Sequence, residues 1–396
     1  MSVNMEKPIR ATMLPYGQQW IDEDDIQEVF NTLKGDFITQ GPKIAEFEQA
    51  VANYVGAKYA VAFCNGTAAL HGACYAAGIG PDDEVITTPL TFAASANCVL
   101  YQGGTPVFAD VDTQTYLLDI HAVEAKITPK TKAIIPVDFT GQPVDISAFM
   151  ELARKHNLVV IQDGAHSLGA EINGQPVGAQ ADMTMFSFHP VKPVTTAEGG
   201  VIVTNNAEYY HKMLLFRSHG ITKDPELLTR NEGPWYYEML DLGYNYRMTD
   251  LQAALGVGQM RKLTKFIERR NRLARLYQQE FAELEREGLL KRPYVVEGVQ
   301  SGWHLYIIQL QLDKFAVGRK EIFEALRQEN IGVNVHYIPV HYQPYYQRLG
   351  YNKGICPTAE RLYESFITLP LFPKMTDNDV HDVVGAVGKV FRKFKF

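Results

Sequence analysis

The order of apolar segments along the chain predicts an α/β fold: a large, mainly parallel α/β/α domain followed by a smaller C-terminal α+β domain. Three observations predict it. From about residue 58, short β-branched runs alternate with helix-like stretches. Most of these runs are apolar throughout, as suits strands buried on both faces of a parallel sheet. Beyond a long charged helical stretch, strand and helix patterns resume in a different rhythm.

In chain order, strands are predicted over 59–63 (YAVAF), 84–88 (EVITT), 106–109, 133–137 (AIIPV), 158–162 (LVVIQ), 184–188 and 201–204. Helices are predicted between them, over 67–77 and 145–156. One long charged helix is expected over 249–288. After Pro293 come a strand over 305–312, a helix over 319–330, a strand over 333–337 and a final helix over 377–391. The expected division is 1–260 for an N-terminal segment plus the large domain, and 261–396 for the connecting helix plus the small domain. At 396 residues, 46% of them hydrophobic, the chain can fill two such cores.

A net charge of −7 speaks against nucleic acid as the main partner, because a phosphate backbone needs a basic face. The four cysteines show no CxxC spacing, so neither a zinc site nor a disulfide framework is expected. The opening stretch MSVNMEKPIRATMLPYG has no apolar core of a signal peptide. No run of about 18 apolar residues follows. The expectation is a cytoplasmic enzyme without a membrane partner.

In open parallel sheets ligands bind beyond the carboxyl ends of the strands, and the reactive residue types fall there. Asp163 ends LVVIQD, a strand so apolar that its acid must find a cation or lose its charge. A protonated pyridine nitrogen is such a cation; a helix N-cap is an equal reading of the residue alone. Lys192 lies in the loop SFHPVKPVTTAEGG after the next strand. A lysine attacks a carbonyl only where apolar or cationic surroundings lower its pKa, and a single lysine is more often a solvated one. Asn65-Gly66-Thr67 opens a helix directly after a strand, where backbone amides and the Thr67 hydroxyl suit a phosphate; many helices start this way. Ser187 adds a hydroxyl. His166 faces either the site or the core. No GxxxxGK[ST], GxGxxG after the first strand, GxSxG or HExxH is present, against ATPase, dinucleotide, hydrolase and zinc-protease chemistry.

Taken together, the N-G-T helix start, the strand-ending Asp and the Ser…Lys loop resemble fold-type I pyridoxal phosphate (PLP) enzymes, the aspartate aminotransferase fold. The strings NGTAAL, ITTPLTFAASAN, QDGAHSLGA, SFHPVKPVTTAEGG, LGYNYRMTDLQAALG and VHYIPVHYQPYY are similar to those of DegT-type sugar-nucleotide aminotransferases, from about Met13 to the C-terminus. LFRSHGITKD and the proline after Lys192 look closest to the branch that makes UDP-4-amino-4,6-dideoxy-N-acetyl-β-L-altrosamine, a precursor of pseudaminic acid. The resemblance implies Lys192 as the Schiff-base lysine and proton carrier, and Asp163 as partner of the pyridine nitrogen. It implies His166 beside the ring hydroxyl and Phe92 over the ring face. Gly66, Thr67 and Ser187 would hold the phosphate, with Asn245 reaching it from a neighbouring subunit. His189, Arg247, His336, Tyr337 and His341 are implied for the nucleotide sugar. The implied partners are a UDP-keto-sugar, L-glutamate as amino donor, and a second copy in a homodimer with shared sites. Three rivals stand beside this reading. One is the related dehydratases, which replace the lysine by histidine. The others are a non-catalytic sugar-nucleotide or PLP sensor and a doubly wound domain without PLP. Within the transaminase reading, C4 or C3 amination of another UDP-, dTDP- or GDP-keto-sugar is the alternative.

Overall fold

The computed structural model describes residues 7–396; the first six residues of the stretch read for a leader lie outside the described residues. Seven strands make the main sheet: β1 (Tyr59–Phe63), β2 (Glu84–Thr87), β3 (Thr105–Phe108), β4 (Thr131–Ile135), β5 (Val159–Asp163), β6 (Met183–Ser187) and β7 (Gly200–Thr204), in the order β1-β7-β6-β5-β4-β2-β3. Each predicted strand of the large domain is present within two residues. The pairs from β6 through β3 are parallel. β7 runs antiparallel to both neighbours, with Gly200 beside Ser187 of β6 and Phe63 of β1. It does so because the loop that leaves β6 turns straight back into the sheet without a crossover helix.

Helix α1 (Glu23–Lys34) packs on the later helix at 250–260, while α2 (Pro42–Val55), α3 (Gly66–Ala76), α4 (Ala94–Tyr101), α5 (Ile146–His156) and α6 (Ala207–Phe216) cover this sheet. Alternation along β1 decides which core each side chain joins. Val61 and Phe63 pack with α3, α4 and α6 on one face. Ala60 and Ala62 pack on the other with Phe47 and Val51 of α2.

The stretch 249–288 is not one helix. It divides into α7 (Asp250–Met260), α8 (Leu263–Glu280) and a short helical segment at Ala282–Arg286. The break at Arg261–Lys262 is held by Lys262, whose ammonium pairs with Asp22 and, at 2.9 Å, with the buried Asp25 of α1. α8 then links two cores. Its first turns pack through Leu263, Phe266 and Ile267 under the main sheet. Its later turns, through Leu273 and Tyr277, join a separate cluster. That cluster sits on a three-stranded antiparallel sheet of β8 (Leu290–Lys291), β9 (Tyr306–Leu310) and β10 (Phe366–Leu369). It is closed by α9 (Arg319–Gln328) and α10 (Asp377–Phe394).

The strand predicted over 333–337 does not form. Asn334 makes a single bridge to Thr368, and its side chain accepts the Val335 amide at 2.8 Å, removing a donor from any ladder. The N-terminal segment is stitched onto this second unit. Leu14 exchanges backbone hydrogen bonds with Asn330 and Gly332, the Leu371 amide donates to the Tyr16 carbonyl, and Arg10 pairs with Asp379 and Asp382. Among the described residues no helix is long and apolar enough to cross a membrane.

Candidate active site

The carboxyl ends of β1, β5 and β6 open into a cavity of about 630 Å³. Asp163, the last residue of β5, lies on its floor and is 4% exposed. Its carboxylate accepts the Ser95 hydroxyl at 2.6 Å and the Ala165 amide at 3.1 Å. Burial pushes its pKa up, against those two hydrogen bonds and the nearby Lys192 charge. Behind it sits a second buried acid, Asp138, at the end of β4. Asp138 accepts the Ser167 hydroxyl at 2.5 Å, both contacts of the Gln162 amide at 2.9 and 3.1 Å, and the Val144 amide at 3.0 Å. It thus grips the turn carrying Asp163 and His166 from either side. Burial raises the Asp138 carboxyl to about 7.

Lys192 hangs in the loop between β6 and β7. The loop is closed at its base by the Phe188 amide on Gly199 and the Thr196 amide on Phe188. The Thr195 hydroxyl donates to the Phe188 carbonyl and accepts the Ala197 amide, so the threonines serve the loop backbone. Burial lowers the Lys192 pKa to about 8; Asp163 opposes the shift and Arg270 adds to it. Such an amine is unprotonated far more often at neutral pH than a solvated lysine. Its Nζ lies 3.3 Å from His304 Nε2.

The rim beside Lys192 is the start of α3. Asn65 caps it by accepting the Ala68 amide at 2.8 Å. The first amides of a helix have no acceptor within it, which leaves those of Gly66 and Thr67 for a ligand. A side chain at 66 would lie 3.4 Å from Ser187 Cβ and Oγ and would fill the space over that hydroxyl. Gly200 of β7 presses on the same turn, 2.5 Å from the Asn65 oxygen were it to carry a Cβ. His166 is buried, with Nε2 3.2 Å from the Tyr337 hydroxyl and Nδ1 without a partner. These features fit PLP: a lysine amine, a buried acid for the ring nitrogen, a free imidazole nitrogen for the ring hydroxyl, and small residues with spare amides for the phosphate.

Of the residues the sequence singles out, Lys192, Asp163, Gly66, Thr67, Phe92, His166, Ser187, His189, His336 and Tyr337 all line this cavity. Asn245 is exposed and bridges Ser218 away from the cavity. Arg247 lines a separate cleft with Arg217 and donates to the Ser218 hydroxyl at 3.1 Å. His341 does not reach the cavity. Its ring is fully buried against Phe108, with Nε2 2.8 Å from Glu360, so it is placed to pack rather than to meet a ligand. Sequence reasoning missed Tyr16, Ser95, His304 and Asn334. Tyr16 and Asn334 arrive from opposite ends of the chain and line the same cavity. His304 stands alone in an apolar run, with no neighbouring motif to mark it.

A lowered lysine and a buried carboxyl sharing one cavity at the strand ends are the arrangement of a PLP-dependent aminotransferase of the aspartate aminotransferase fold. Residues 19–388 match the DegT/DnrJ/EryC1/StrS aminotransferase family, and the chain belongs to that family. It is 42% identical, over 97% of this chain and 98% of the relative, to the spore coat polysaccharide biosynthesis protein SpsC of Bacillus subtilis. It is 37% identical, over 97% and 99%, to a UDP-4-amino-4,6-dideoxy-N-acetyl-beta-L-altrosamine transaminase of Campylobacter jejuni. Among solved structures it superposes on Helicobacter pylori PseC, an aminotransferase of pseudaminic acid biosynthesis, with a TM-score of 0.90 and 33% identity. That match covers 97% of this chain and 100% of PseC.

Proposed function

We propose that this enzyme aminates C4 of a UDP-linked 4-keto-6-deoxy-N-acetylhexosamine of L-arabino configuration, with L-glutamate as donor. The product is then UDP-4-amino-4,6-dideoxy-N-acetyl-β-L-altrosamine, for pseudaminic acid. The observation that carries the reading is the pairing of Lys192 and Asp163 in one cavity, on a chain similar from end to end to a transaminase of that name. When bound, PLP supplies a carbonyl that exchanges amino groups and a pyridinium ring that takes up the electrons of the bond being broken.

The chain's own residues do the rest. Lys192 Nζ takes a proton from the α-carbon of the donor in one half of the exchange and delivers a proton to C4 of the sugar in the other. Asp163 holds the proton on the ring nitrogen. Gly66, Thr67 and Ser187 bind the phosphate, His166 meets the ring hydroxyl, and Phe92 covers the ring face. Phe92 is 62% exposed, as a residue that awaits a ligand would be. His189, His336 and Tyr337 line the sugar side, and Tyr337 is fixed by its bond to His166. Asn245 and Arg247 act across a homodimer, reaching the partner's phosphate and nucleotide. The functional division is 1–260 and 261–396, and the enzyme works in the cytoplasm.

A panel of UDP-, dTDP- and GDP-keto-sugars with glutamate tests the reading, with product regiochemistry read by NMR. Consumption of the L-arabino UDP epimer with an amine at C4 is the expected result. Turnover of a dTDP-3-keto sugar in its place would overturn the substrate while leaving the aminotransferase. A second reading, amination of a different keto sugar for another surface polysaccharide, is favoured by the higher identity to SpsC.

A further inference from the structure

His304 is 4% exposed, and its Nε2 is the nearest side-chain partner of the Lys192 amine at 3.3 Å. Its position is set by the backbone around it, not by a partner on its own ring. The Gly302 amide donates to Gly141 and the Leu305 amide to Thr140, so the two residues between are clamped against the turn after β4. Gly141, at φ +107°, admits this approach because a Cβ there would stand 2.6 Å from the Trp303 nitrogen and 2.9 Å from the His304 nitrogen. From the other side the fully buried Arg270 of α8 donates to the carbonyls of Trp303 and Leu371, both at 2.9 Å. Nδ1 of His304 has no partner, and the ring lies 4.3 Å from that of His166.

The titratable groups facing His304 are Lys192, Arg270, His166 and His336, and the acids Asp163 and Glu198 line the same cavity. Burial, with the charges of Lys192 and Arg270 adding to it, holds His304 well below the ordinary histidine pKa. A second positive charge on the imidazole is therefore opposed, and a neutral ring with hydrogen on Nδ1 leaves Nε2 as an acceptor.

We propose that His304 is a positioning residue for Lys192: its Nε2 accepts a hydrogen bond from the free lysine amine, and so fixes where Nζ waits while it carries the proton. The idea rests on Lys192 being the proton carrier, as read above. Whenever Lys192 is not covalently engaged, its amine is held by no bond beyond its own side chain. A long, flexible side chain would then lose its aim without an acceptor. A neutral acceptor suits the task, since a carboxylate in its place would bind the ammonium too tightly to let the proton go.

The test uses the cofactor-free protein, so that it does not depend on turnover. Competitive acetylation across pH 6–10, with peptide mapping, reads the apparent pKa of Lys192. Loss of the acceptor in His304→Leu leaves the ammonium less stabilised, and the apparent pKa is expected to fall by about one pH unit. His304→Gln keeps an acceptor and should restore most of it. An unchanged Lys192 titration in His304→Leu would overturn the proposal. If leucine prevents folding, 15N-imidazole NMR on wild type and Lys192→Ala replaces it. Removing the lysine must then move the His304 Nε2 resonance, and an unmoved resonance is equally fatal. Borohydride reduction of the loaded enzyme, mapped by peptide, reports separately on Lys192. A pyridoxyl group elsewhere would remove the underlying reading, whatever His304 does.

Discussion

Asp163 and Asp138 are two buried carboxyls on adjacent strand ends, and their surroundings give them different work. Asp163 faces the cavity and has one hydroxyl and one amide as partners; Asp138 is saturated by protein donors. Asp163→Asn should keep the fold and lose turnover on the order of 100-fold, because an amide cannot stabilise the ring's positive charge. Steady-state kinetics with excess PLP measures it, and near-normal turnover would reduce Asp163 to a turn residue. Asp138 bears on stability. Its pKa is raised to about 7 from an unfolded value near ~4, so the folded chain keeps a proton that the unfolded chain releases. The stability this contributes is fully present below about pH 4 and is lost as pH rises to about 7. Urea midpoints of the cofactor-free protein should therefore fall less between pH 5 and 7 in Asp138→Asn than in wild type. Equal slopes would show that the acid carries no such proton. Lys192 and Asp163 were legible only together: each alone had an ordinary reading, and the order of an N-G-T helix start, a strand-ending acid and a Ser…Lys loop set them apart. His304 and Ser95 were not, since a lone histidine or serine in an apolar setting has no local feature to separate packing from function.

Among the elements, β7 does more than complete the sheet. Its first residue, Gly200, is wedged between the ends of β1 and β6 and touches the turn that opens α3. An alanine there would meet the Asn65 oxygen at 2.5 Å and the Gly66 Cα at 2.7 Å. Gly200→Ala should displace the start of α3 and weaken PLP binding by about tenfold or more, with the sheet intact. Absorbance titration of the cofactor-free protein with PLP, beside circular dichroism, tests it; unchanged affinity would mean the α3 turn is not the phosphate cradle. The strands of this sheet were readable because strands buried on both faces leave unbroken apolar runs. The break in 249–288 was not. It coincides with Lys262 pairing with Asp22 and Asp25 at the start of α1, a contact between residues far apart in sequence, and helical periodicity carries no sign of it. The missing strand at 333–337 failed for a nearer reason: Asn334 uses its own side chain to satisfy the next amide.

For the molecule as a whole, one chain supplies Lys192, Asp163 and the α3 turn, while Asn245 and Arg247 lie outside the cavity they are proposed to serve. Mixing Lys192→Ala with an Asn245→Ala/Arg247→Ala double variant should therefore recover about a quarter of wild-type activity, because half the dimers are mixed and each mixed dimer holds one intact site. No recovery after subunit exchange, or a fully active monomer, would refute shared sites. The stitched N-terminal segment has a consequence of its own, in time rather than in space. Tyr16 is synthesised early and Asn334 and His336 late, yet they share one wall, and the Leu371 amide holds the Tyr16 carbonyl. The main sheet has all its strands by Thr204 and can form while the ribosome is still working. The wall that Tyr16 shares cannot: until residues 330–336 and then 371 have emerged, the N-terminal segment lacks the partners that hold it. A nascent chain of this enzyme is thus able to own its lysine and its acid well before it owns a closed pocket.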